Sequence, residues 1–111
     1  MIEWTDWDAR KAQAIATAGL HLGYVRVERI NRFLGELRMY LEEKMLLRDC
    51  EFRISASSKE GRLAFTFTFY SLPRALAKLV VAEFRHLTQK YETVGKCSLG
   101  PPLVCTAEYL Y

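Results

Sequence analysis

The chain has 111 residues, half of them hydrophobic and 26% charged, a length that fits one domain and a composition ordinary for a folded globular protein. That excludes disorder as a description of the whole chain. The net charge of +3, from 16 basic and 13 acidic residues, argues for solubility and against a dedicated nucleic-acid binder, which carries a stronger or more clustered excess.

Thr5 followed by Asp6, Trp7 and Asp8 reads as a helix start, with the threonine as cap and the aspartates at the positive end of the dipole. The alanine-rich run from Ala9 to Ala18 favours helix and Gly19 reads as its stop, so the first helix is expected over residues 6–18. A turn through His21 and Gly23 should lead into a second helix from Tyr24 to Arg48. On it Val27, Ile30, Leu34, Leu37, Leu41 and Met45 share one face, flanked by Phe33 and Tyr40. Glu28, Arg32 and Glu36 read as an ion-pair ladder on the wet side of the same helix.

Two strands follow. Cys50, Phe52, Ile54 and Ala56 alternate with polar residues, and Leu63, Phe65, Phe67 and Phe69 alternate with Ala64, Thr66, Thr68 and Tyr70. Lys59-Glu60-Gly61 is the tight connection between them, with Gly61 free to take a positive φ. Ser71-Leu72-Pro73 should open a third helix running to about Lys90, with Ser71 as cap and Leu76, Leu79, Val80, Phe84, Leu87 and Tyr91 as its apolar stripe. Around Gly100-Pro101-Pro102, residues 93–98 and 103–110 form a second hairpin, with Cys105, Ala107 and Tyr109 on one face. The order α-α-β-β-α-β-β implies one α+β domain over residues 1–111, a two-layer fold with a small, mostly antiparallel sheet and helices on one face.

The chemistry-bearing motifs are sparse. The three cysteines are Cys50, Cys97 and Cys105, and the acidic start Met1-Ile2-Glu3-Trp4-Thr5-Asp6 has neither a basic region nor an apolar run. Both features lead us to expect reduced, structural thiols in the cytoplasm and no export signal. No apolar stretch approaches the ~20 residues that span a bilayer, so no membrane partner is expected. A cysteine nucleophile would need His21 or His86 as its base, but Cys50 and Cys105 lie on apolar strand faces where thiols are usually inert. The spacing of Cys97 and Cys105 across the proline turn brings two sulfurs close without an adjacent histidine, too few ligands for zinc. Glycine-rich phosphate loops are missing, and Glu42 and Glu43 point about 100° apart on their helix. No catalytic site, metal or cofactor is therefore expected.

Two surfaces remain as carriers of function. On the second helix Val25, Met39 and Leu46, with Arg32 between, recur every seven residues away from the main stripe. Either the first helix covers them, supplying Trp7, Ala14, Ile15 and Ala18, or they meet a partner protein or a second copy of the chain. Trp4 and Trp7 at one end and Tyr109 and Tyr111 at the other add aromatic groups of the kind that anchor interfaces. On the third helix Arg74, Lys78 and Arg85 project within roughly 40° of one another, with Gln89 beside them, a stripe suited to phosphates or an acidic partner. The leading expectation is a non-enzymatic protein-binding domain (an adaptor, a chaperone-like subunit or an inhibitor, for instance of phage anti-defence type), with a homodimer as one form of it. A nucleic-acid-binding module comes second and a thiol-dependent enzyme a distant third.

Overall fold

A computed structural model of the chain describes residues 4–44, 52–100 and 102–110. Its elements run α1 (Trp4–His21), α2 (Tyr24–Lys44), β1 (Phe52–Lys59), β2 (Arg62–Phe69), α3 (Arg74–Lys90), β3 (Val94–Ser98) and β4 (Leu103–Leu110). The four strands form one antiparallel sheet in the order β1-β2-β4-β3. All three helices lie on one side of it: α1 against β1, α3 against β3 and β4, and α2 against both other helices.

The register explains why one face takes all the helices. Leu63, Phe65, Phe67 and Phe69 of β2 and Leu103, Cys105, Ala107 and Tyr109 of β4 are all buried, while the residues between them are only half-covered. Phe65 lies between the small residues Ala56 and Ala107, and Phe67 between Ile54 and Cys105. Phe65 thus stands above small neighbours, and the rings of β2 interdigitate with those of the helices, as close packing of a core requires. Trp7 of α1 stacks on Phe67 at 5.6 Å between centroids, and Phe84 of α3 meets both Phe67 (5.9 Å) and Phe33 of α2 (5.6 Å) edge-on. The core is one aromatic cluster shared by sheet and helices.

Several expectations are revised. α1 begins at Trp4 and passes through Gly19 to His21. Ala18 and Leu22 are both buried and Leu22 donates to the Ala18 carbonyl at 2.8 Å, so packing outweighs the ~1 kcal/mol cost of a helical glycine. Asp8 joins an ion pair with Arg38, which also holds Glu42 at 3.0 Å and so clasps α1 to α2. Pro73, not Ser71, stands at the N-cap of α3, and no side chain caps it. Leu79 leaves the apolar stripe and is 49% exposed, its place taken by Ala77 and Val81. Glu36 pairs with Lys90 of α3 at 2.7 Å, across the helices and not along its own. The β1–β2 turn uses both Glu60 (φ 53°) and Gly61 (φ 76°) in the left-handed region, the two-residue type that fits strand twist. Met45, Leu46, Arg48, Cys50, Pro101 and Tyr111, and the side chains of Trp4, Thr5 and Phe52, lie outside the described residues.

Candidate partner-binding groove

Along α2, the side facing away from α1 stays open. Tyr24, Val25 and Met39 are 79%, 63% and 60% exposed. α1 buries Trp7, Ala14 and Ala18 elsewhere, so it does not cover Val25 and Met39. The C-terminal end of α3 rises beside them and closes a groove of about 870 Å³, lined by Tyr24, Val25, Arg32 and Met39 on one wall and Lys90 and Tyr91 on the other. From Tyr24 to Met39 the helix advances roughly 22 Å at 1.5 Å per residue.

The groove's charges are arranged in pairs. Lys90 donates to Glu36 Oε1 at 2.7 Å, and Arg29 donates to Glu92 Oε2 at 2.9 Å. The Lys90 hydrogen bond holds the Glu36 carboxyl below its ordinary range, and the same bond raises the Lys90 ammonium. Glu36 Oε2 is buried and has no hydrogen-bond partner among the described residues. Burial, with Glu36 beside it, pushes the Tyr91 phenol up, so it stays a neutral donor at physiological pH. Lys90 also lies 5.4 Å from the centre of the Tyr91 ring. Arg32 has no carboxylate partner among the described residues.

The structure sorts the expected contact residues. Val25 and Met39 come together on the groove, while Leu46, Tyr111 and the side chain of Trp4 lie outside the described residues. Trp7 and Tyr109 are corrected: both are core residues, Trp7 stacked under α1 and Tyr109 edge-on to Phe65 at 5.9 Å, and neither offers a ring to a partner. Arg74, Lys78, Arg85 and Gln89 are all exposed on α3, and none of the three cations has a carboxylate partner among the described residues. Sequence reasoning missed Tyr24, Lys90 and Tyr91 as groove residues. Tyr91 sits on the predicted stripe of the third helix, and only the docking of that helix on α2 turns it toward Val25 and Met39.

Cys97 and Cys105 stand opposite one another in the β3–β4 ladder, and no group of three or more potential metal ligands occurs among the described residues. No described helix is long and apolar enough to cross a membrane. The chain matches no protein-family model, no curated protein and no solved structure.

Proposed function

We propose that this protein is a non-enzymatic interaction domain, an adaptor or inhibitor, that binds an amphipathic helix of a partner protein in the groove between α2 and the end of α3. The observation that carries the reading is the convergence of Tyr24, Val25 and Met39, all largely exposed, on one groove with Tyr91. Scattered apolar residues need no explanation, but a line of them along a concave surface marks a recognition site. The length suits about four turns of helix, whose anchors would repeat every three to four residues. Arg32, which lines the groove, favours an acidic residue on the rim of that helix.

The test is a photo-crosslinking amino acid at Met39, with Val25→Glu as control. Adducts should map to one helical segment with apolar residues at helical spacing, and Val25→Glu should abolish them while leaving the melting temperature unchanged. Adducts spread over unrelated peptides, or unaffected by Val25→Glu, would refute the reading. An adduct between two copies of the chain would replace it with self-association.

A second reading, phosphate binding by Arg74, Lys78 and Arg85, is favoured by the lack of carboxylate partners for these three cations among the described residues. Reversing all three should leave the fold intact, each exposed change costing within about 0.5 kcal/mol. It should also remove any nucleic-acid binding together with its salt dependence. Nucleic-acid binding that survives the reversal would dismiss this face.

A further inference from the structure

On the opposite side of α3 from the groove, the ladder sets Cys97 of β3 directly across from Cys105 of β4. Opposed residues in an antiparallel pair have Cα atoms about 4.5–5.5 Å apart and side chains on one face, within the span that a disulfide bridges. Both are free thiols whose side chains hydrogen-bond one another. Their surroundings differ. Cys105 is fully buried in the core. Cys97, on the edge strand, is half-buried and lines a cavity of about 300 Å³ together with Lys78, Val81, Ala82, Arg85 and Leu99.

That asymmetry divides the labour of a dithiol. The Cys105 hydrogen bond holds the Cys97 thiol below its ordinary range against the effect of burial, and Arg85 adds to the lowering. The bond to Cys97, then burial, pushes Cys105 far up. Cys97 is thus the more acidic and the more accessible of the two sulfurs, in an electropositive cavity, the setting in which thiols react. The other is a protonated reserve directly behind it. The cavity is at the lower end of the volumes that hold small molecules. Val81, Ala82 and Leu99 offer it an apolar wall and Lys78 and Arg85 two cations.

We propose that Cys97 and Cys105 form a thiol–disulfide exchange site for small disulfides that carry carboxylates. The Cys97 thiolate attacks one sulfur of R–S–S–R; the Cys97–S–R bond forms, the S–S bond of the reagent breaks, and RS⁻ leaves. Cys105 gives its proton to the departing thiolate and attacks the Cys97 sulfur. The Cys97–Cys105 bond forms and the second RS⁻ leaves, taking up the proton that Cys97 had released to solvent. Two electrons pass from the protein dithiol to the reagent, which ends as two RSH. The site is separate from the α2 groove and stands or falls independently of it.

Trypsin cuts after Lys96 and nowhere beyond, so both cysteines share one C-terminal peptide, and Cys50 falls on another. The reduced protein is incubated with glutathione disulfide, which is anionic, or with cystamine, which is cationic, and the peptides are weighed over time. With glutathione disulfide the C-terminal peptide should become lighter by two hydrogens, and Cys105→Ala should trap glutathione on Cys97. Arg85→Glu, an exposed change, should lower the ratio of the glutathione disulfide rate to the cystamine rate about tenfold or more. A C-terminal peptide that stays reduced while Cys50 is modified would overturn the proposal. So would a rate ratio unchanged by Arg85→Glu. Should Cys105→Ala fail to fold, the wild-type peptide masses and the Arg85→Glu ratio decide the matter alone.

Discussion

Tyr109 carries its ring against Phe65 and its hydroxyl into the core, where the oxygen has no hydrogen-bond partner among the described residues; the Thr93 hydroxyl donates instead to the Glu108 carbonyl at 2.6 Å. Burial pushes the Tyr109 phenol up to about 12 from an ordinary 10.0. The folded state therefore holds the proton more tightly than the unfolded chain, and the corresponding stability is whole below pH 10 and is lost as pH rises toward 12. Tyr109→Phe removes both the orphan hydroxyl and the titration. It should be neutral to stabilising by up to about 1 kcal/mol at neutral pH and should lose less stability than wild type near pH 11, as thermal melts at the two pH values would show. A second residue stores strain. Glu92 (φ 53°) is the left-handed residue after α3, where the Thr93 amide reaches the Thr88 carbonyl (2.9 Å) and the Glu92 amide that of Gln89 (3.3 Å). Helix ends of this form usually place glycine there. Glu92→Gly should cost nothing or stabilise by up to ~1 kcal/mol despite losing the exposed pair with Arg29, whereas Glu92→Val should destabilise by ~1–2 kcal/mol. Chemical denaturation of the two variants would measure the difference.

At the scale of elements, β3 approaches α3 closely because Gly95 has no side chain. A Cβ there would lie 2.6 Å from Thr88 Cγ2. Gly95→Ala should cost ~1–3 kcal/mol by overpacking, and Thr88→Ala should restore part of that in the double variant, a coupling that a double-mutant cycle isolates. The main stripe of α2 is core, so Leu37→Ala should cost ~2–5 kcal/mol, in contrast to the silent Val25→Glu on the other side of the same helix. The strand faces, the Gly61 turn and the start of α2 at Tyr24 were legible because period-two alternation and a glycine at a tight turn are local signals. The end of α1 was not, since Gly19 gives a local stop signal that the burial of Ala18 and Leu22 overrides. The seven-residue recurrence of Val25 and Met39 exposed one wall of the groove. The other wall depends on where α3 docks, which no pattern within either helix encodes. Trp7 and Tyr109 misled for the same reason: an aromatic residue near a terminus is equally suited to an interface or a core, and only the fold shows that Phe67 and Phe65 receive them.

For the molecule as a whole, the helices and the two hairpins are local structures that form quickly, and the seam between β2 and β4 spans the whole of α3. Long-range pairings of this sort dominate folding time. The two inner strands should also be the last to exchange their amide hydrogens, and β3, a short edge strand, the first of the four. Exchange that is uniform across the sheet would contradict the strand order. That order also has a consequence during synthesis. β4 follows every other described element in the chain yet sits inside the sheet. Until the ribosome has delivered Leu103–Leu110, β2 has a bare edge beside a row of three phenylalanines, and β3 has no neighbour at all. A nascent chain at that stage presents what aggregation requires. Stalled or truncated products that end near residue 98 should therefore depend on chaperones for solubility more than the whole chain does.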